Sequence, residues 1–387
     1  MSDFSIAGGA PFANAQEKLG LLTPSTLAAP KRAAVFALLC WLPLLALATV
    51  GGTLDSPEGG RSFMRDLTVH ARFLVAVPIF ILLEQLAEPR LAALSHQFLA
   101  GGLLTGESVT RFEEAIRRSH RRRDSWVAEL VLFVFAYVLA GPTLMDNIAR
   151  QGGTWAGTVA DGAVHFTPAG WWLLLVAGPL FAFLLFRWLW RYLLWANFLR
   201  SVAGLDLRLV ATHPDRAGGL AFVAQYPATF AAFAFACSVV GASMLARALL
   251  WGGASIDQFQ VVLGVWVAFF VALFTVPLFF FAGPIKKTKR AALLAYSTLS
   301  SRHNVAFEKR WFFEETGAED KLLGAPDASS LADLATGYEA VKNMLPVPLS
   351  KEAVLPVVIA TVLPLIVAAA TQVPLRQMLG VLKLLML

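Results

Sequence analysis

Five charged residues lie in stretches that are otherwise apolar: Glu84, Glu88, Glu129, Arg187 and Arg191. An ionisable side chain in hydrocarbon is costly, and it marks either a solute pathway or a paired structural contact. Glu84 and Glu88 are four apart, as are Arg187 and Arg191, so on a helix each pair shares one face. Facing carboxylates and guanidiniums can bind ions, line a polar cavity or clamp one another. A second candidate is the polar stretch "THPDRAGGLAF", Thr212 to Phe222. There His213 and Asp215 could act as acid and base or relay protons. Arg216, with free amides at a helix start, could hold a phosphate or a lipid headgroup. The plainer alternative is a helix entry. Thr212 and Asp215 have capping-box spacing, Pro214 suits a first helical turn, and Gly218 with Gly219 permits a tight backbone.

The elements that must position these groups are membrane helices. The chain has 387 residues, of which 57% are hydrophobic and 15% charged. A soluble domain carries about 25% charged residues, and the mean hydropathy here is +0.63. The net charge of +6 fits the basic loops and anionic lipid headgroups of a membrane protein. No nucleic-acid motif is present, so nucleic acid is not an expected partner. Cys40 and Cys237 both sit in apolar runs, which excludes a disulfide framework or a CxxC motif. The histidines are scattered and there is no HExxH, P-loop or GxGxxG. No metal or cofactor is implied.

A span needs about 20 mostly apolar residues. Seven stretches qualify: roughly 33–54, 69–88, 126–146, 170–192, 220–250, 259–284 and 353–373. The expected fold is an all-α polytopic transmembrane bundle of about seven spans with amphipathic cytoplasmic helices. Lys31 and Arg32, the arginines of loop 89–125, and Lys286, Lys287, Lys289 and Arg290 all fall on one side of it. The positive-inside rule makes that side cytoplasmic, with the amino terminus inside and the carboxyl terminus outside. Glu84, Glu88, Glu129, Arg187 and Arg191 then lie at similar depth near the cytoplasmic face. Arg72 and Arg247 fall near the outer ends and read as interface anchors.

Residues 1–30 read as a loose cytoplasmic tail and 31–285 as the bundle. Loop 89–125 is helical, with Val109, Phe112 and Ile116 on one face and Thr110 and Glu113 in capping-box spacing. Segment 286–352 is the largest cytoplasmic part. Its stripe of Leu331, Leu334, Tyr338, Val341 and Met344 either packs on a neighbouring helix at 291–313 or binds a partner. Residues 353–387 hold the last span and an amphipathic tail. Pro78, Pro179, Pro277 and Pro364 interrupt spans, and broken spans can line binding cavities. Ala228, Ala232 and Ala236, with Ala234, Ser238 and Ala242, form small-residue rows for close helix packing, within the chain or between copies.

His213-Pro214-Asp215 matches the tripeptide of J-domain co-chaperones, but a long membrane span follows it here instead of a soluble helix. The wider loop "HPDRAGGL", with "RWLWRYLLWANFLR" before it and "PLSKEAVLPVVIATVLPL" near the end, resembles an uncharacterised family of bacterial multi-span membrane proteins. The resemblance runs over most of the chain from the first span onward. It implies a bacterial inner-membrane location and no particular activity.

Three functions are open on these residues. The leading expectation is a channel or transporter for an ion or small polar solute, using the five charged residues and the His213–Arg216 loop. The second is an enzyme acting on lipid headgroups, with His213 and Asp215 as acid and base. The third is a sensor or scaffold working through helix 327–345. Expected partners are the bilayer, its anionic headgroups and a possible second copy. A wet route between the charged spans would favour transport, a headgroup-sized inner pocket an enzyme, and a dry paired cluster a scaffold.

Overall fold

The computed structural model describes residues 4–6, 11–18, 29–55, 62–313 and 326–372. Among the described residues seven helices are long and apolar enough to cross a membrane: Ala29–Val50, Leu67–Ala100, Trp126–Arg150, Pro168–Ala203, Ala221–Trp251, Ile256–Phe313 and Lys351–Ala369. They are called spans one to seven below. The all-α membrane bundle stands as expected. Several spans run well past their apolar stretch. Span two continues to Ala100, and span six continues into the polar segment beyond Lys286. Within hydrocarbon every backbone group must be paired internally, which leaves the helix as the economical form for such runs.

Alternating connections give the bundle two ends. The basic end carries the arginine-rich helix Glu107–Arg123 and the extension of span six. The other end carries a small antiparallel sheet of Gly153–Thr154 (β1), Gly157–Ala160 (β2) and Ala163–Phe166 (β3). We call it the hairpin end. Asp161 (φ 53°) and Gly162 (φ 73°) both adopt the left-handed conformation between β2 and β3, as a two-residue hairpin of that twist requires. Gly170, at the start of span four, is obligatory: a Cβ there would sit 1.8 Å from the Ala156 carbonyl oxygen.

Side-chain caps set three of the starts. Asp66 accepts from the amides of Thr68 and Val69, Ser125 from Ala128, and Thr167 from Gly170. Each satisfies an amide the first turn leaves open. Span one packs on span two, span three on span four, and span five on spans two and seven. The small-residue row of span five is used within the chain: Ala242 and Ala246 pack with Leu365 and Ala368 of span seven. Ser238 accepts from the Trp266 indole at 3.0 Å.

Proline leaves its mark on spans two, four and six. Pro78 and Pro179 lack the N–H that would bond four residues back, and each follows a widened π-helical turn, at Ala71–Ala76 and Leu173–Ala177. Tyr137 meets the freed Leu175 carbonyl with its hydroxyl at 2.8 Å. In span six, Pro277 leaves the Leu273 carbonyl free, and Tyr192 donates its hydroxyl there.

The amino-terminal segment differs from the loose tail expected of it. Pro11–Lys18 is helical, and Phe4 and Ile6 are buried. Phe4 lies among Trp195, Phe198 and His120, with ring centroids 5.0, 4.7 and 6.4 Å away. Ala, Gly, Pro and Ser dominate this segment by number, but three apolar anchors, Phe4, Ile6 and Phe12, decide its placement. The helix of loop 89–125 starts at Glu107 after a left-handed Gly106, so Thr110 is inside it and caps nothing. Its Phe112 and Ile116 are buried as their spacing requires. The stripe helix Pro326–Lys342 packs on the extension of span six. The amphipathic tail beyond the last span lies outside the described residues.

Candidate functional site

The charged residues of the spans converge on Glu84. Its Oε2 accepts from Arg32 Nη2 at 2.6 Å. Its Oε1 accepts from Arg191 Nη1 at 2.7 Å and from Arg187 Nη1 at 3.1 Å. Arg187 Nε also lies 3.3 Å from Glu129 Oε1. Glu129 Oε2 in turn accepts the Phe12 amide at 2.8 Å. The guanidinium of Arg187 lies over the Phe12 ring at 4.9 Å, and that of Arg191 over Trp188 at 5.1 Å. The side chains of Glu84, Arg32, Arg187 and Arg191 are no more than 6% exposed. None reaches out to headgroups. Among the buried polar atoms of this cluster, Arg191 Nη2 and Glu129 Oε1 make no hydrogen bond.

Spans one, two, three and four are thus tied at one point, and the amino-terminal helix is tied to it as well. Arg32 Nε donates to Gln16 Oε1 at 2.6 Å. Glu88 shares the face of Glu84, as its spacing requires, but serves another contact. Its Oε2 accepts the Ile6 amide at 2.8 Å. Arg32 joins the cluster although its sequence position suggests only an orienting charge. In a dry setting, removing one member of such a set strands the others at a cost of about 3–5 kcal/mol. The arrangement can clamp helices. A conducting site would instead leave its charges open to a passing ion.

The stretch from Thr212 to Gly219 is a folded loop, and its organiser is Asp215. Oδ1 accepts the amides of Ala217 at 2.8 Å and Gly219 at 3.1 Å, and Oδ2 that of Ala221 at 3.0 Å. His213 Nδ1 lies 2.8 Å from Oδ1. Burial works to raise the Asp215 carboxyl, but the amides of Ala221, Ala217 and Gly219, with the His213 ring, outweigh it and hold the group below its ordinary value. The helix begins at Ala221, well after Thr212, which therefore does not cap it, and Asp215 reaches its first amide from within the loop. Arg216 is left-handed (φ 55°), and its carbonyl accepts the Leu345 amide at 2.7 Å. A Cβ on Gly218 would meet Met344 Cε at 3.0 Å and Leu209 Cβ at 3.1 Å. The loop is a socket for the end of the stripe helix. A carboxylate already holding three amides is a poor general base.

A cavity of about 610 Å³ opens at the hairpin end between spans two, three, four and five, beneath the sheet. Arg65, Arg72 and Arg247 line it with Asp66, Thr68, Thr143 and Asn147, while Leu139, Leu173 and Phe181 supply apolar wall. Arg72 rises from the π-helical turn of span two, and Leu173 from that of span four. Such turns frequently mark functional sites. The Arg72 guanidinium lies 5.6 Å from the Phe181 ring centroid, and its buried Nε has no hydrogen-bond partner. Asp66 is spent on the amides of Thr68 and Val69 and on the Trp155 indole. Arg247 donates to the neutral side chain of Gln151. Sequence reasoning takes Arg72 and Arg247 as separate interface anchors. The available signal is their shared depth, with Pro78 and Pro179 breaking the spans nearby. No family model, curated protein or solved structure matches this chain.

Proposed function

We propose that this integral membrane protein is a carrier whose solute site is the basic cavity at the hairpin end, and that the Glu84 cluster is the fixed point of the bundle. The observation that carries this reading is the cavity itself. It is of ligand size, it lies between four spans, and two of those spans are interrupted by π-helical turns and prolines beside it. Interrupted spans are where carriers bind solutes and where rigid helix pairs can rock. Transport by the five charged residues directly is the weaker form of the idea, because Glu84 is saturated by three guanidiniums. The dry cluster favours a scaffold as the second reading. We place the basic end in the cytoplasm of a bacterial inner membrane, on the lysine and arginine bias and the family resemblance.

Cysteine accessibility tests the carrier reading without knowledge of the solute. With Cys40 and Cys237 replaced, Ala182→Cys puts one thiol on the cavity wall. In inside-out and right-side-out vesicles an impermeant thiol reagent should reach it from the hairpin side readily and from the basic side more slowly. Reaction from the hairpin side alone under all conditions would leave a binding pocket without transport, and the scaffold reading would replace this one.

A further inference from the structure

The walls of the cavity differ in character, and that difference specifies a ligand. Among the described residues three guanidiniums, from Arg65, Arg72 and Arg247, face it or its rim, against the single carboxylate of Asp66. Asp66 is largely engaged already, one oxygen accepting two amides and the other the Trp155 indole. Arg65 Nε lies 4.0 Å from Asp55 Oδ1, and both groups are substantially exposed. Among the described residues no carboxylate lies within ion-pair distance of Arg72 or Arg247. The cavity is therefore positive, and it keeps unused donors, including the buried Nε of Arg72. Arginine presents these donors as a planar fork that fits an oxyanion. The lining also carries apolar side chains, among them Leu139, Leu173 and Phe181. A small hydrated anion would leave that wall unused.

We propose that the cavity binds an anionic amphiphile, with a phosphate-type oxyanion between Arg72 and Arg247 and an apolar chain along Leu173 and Phe181. This rests on the reading of the cavity as the solute site. The same chemistry is offered by an anionic bilayer lipid and by a free alkyl phosphate. Either would meet the guanidiniums of Arg72 and Arg247 and cover the apolar wall, and neither a neutral amphiphile nor inorganic phosphate does both.

The test uses the full chain with Ala182→Cys in the cysteine-replaced background, in nanodiscs of phosphatidylcholine. The rate of thiol labelling is measured with dodecyl phosphate, dodecyl maltoside or inorganic phosphate added. Dodecyl phosphate should slow labelling saturably, and the other two should not at equal concentration. Nanodiscs containing phosphatidylglycerol separate the sources: protection there without any added probe identifies a bilayer lipid, and its absence a free amphiphile. Arg72→Gln should raise the half-protecting concentration by about tenfold or more, the size of one charge-assisted hydrogen bond, while Arg72→Lys keeps part of the effect. Arg247→Gln gives an independent variant should Arg72→Gln fold poorly. Equal protection by dodecyl maltoside or by inorganic phosphate, or none by any probe, would overturn the ligand class. A thiol that never reacts, even without a probe, would instead remove the open cavity on which the carrier reading stands.

Discussion

At the scale of single residues, the decisive distinction is between charges already used and charges still available. Glu84 holds three arginines in a buried setting. Glu84→Leu should therefore cost about 3–5 kcal/mol or prevent folding, since three guanidiniums lose their common partner. Glu88→Gln should be milder than Glu84→Leu, because it strands no set of three guanidiniums and its amide oxygen can still accept the Ile6 amide. Thermal unfolding in nanodiscs ranks the two; equal midpoints would remove Glu84 from its central place. Asp215 gives a pH prediction. Its carboxyl is held below the ordinary value in the folded state, so its contribution is complete above the unfolded pKa of about 4. That contribution fades as pH falls through the lower folded value. The stability gap between wild type and Asp215→Asn should be constant near neutrality and shrink on acidification below about pH 4. A gap that widens on acidification contradicts the assignment. The five span charges were legible because charge in an apolar run is conspicuous and spacing of four defines a face. Arg32 was not, since a basic residue before a first span looks like an orienting charge until Glu84 is seen beside it.

At the scale of elements, prolines and tyrosines work as pairs. Pro179 leaves the Leu175 carbonyl without its helical donor, and Tyr137 on span three supplies one. Tyr137→Phe should cost about 1–3 kcal/mol, the penalty for an unmet carbonyl in an apolar setting. Pro179→Ala restores an N–H to that turn, so the double variant should lose less than the sum of the two single ones. Strict additivity in unfolding measurements would show that the hydroxyl is not meeting a proline-freed group. Span positions were legible because runs of about 20 apolar residues have few other fates. The hairpin Gly153–Phe166 was less visible, because its strands are only two to four residues long and lie between two strong hydrophobic signals. Its Asp161-Gly162 turn was the available clue. The amino-terminal helix was hidden for the opposite reason. A composition rich in small residues outweighed Phe4, Ile6 and Phe12, whose burial depends on pockets formed by distant spans.

At the scale of the whole molecule, a buried fixed point stands at the basic end and an open positive cavity at the hairpin end. Orientation follows from the charge bias and can be checked in intact cells. In the cysteine-replaced background an impermeant thiol reagent should label Ala160→Cys in the exposed part of β2, and not Ser301→Cys on the extension of span six. The reverse pattern inverts the protein and puts the cavity on the cytoplasmic side. The cavity could not be read from the sequence, because Arg65 and Arg72 come from the entry to span two and Arg247 from span five, and each alone has an ordinary explanation at the membrane interface. Only the folding of spans two to five around one space makes them a site. The central claim is that water reaches the cavity and does not reach the cluster, and two single cysteines compare them directly. Ala182→Cys stands on the cavity wall, and Ala87→Cys is fully buried on span two, less than one turn from Glu84. With a small polar thiol reagent and purified protein in nanodiscs, Ala182→Cys should react and Ala87→Cys should stay protected until the protein is unfolded. Rapid reaction at Ala87→Cys, with Ala182→Cys silent, would make the cluster the wet route and the cavity a closed wall.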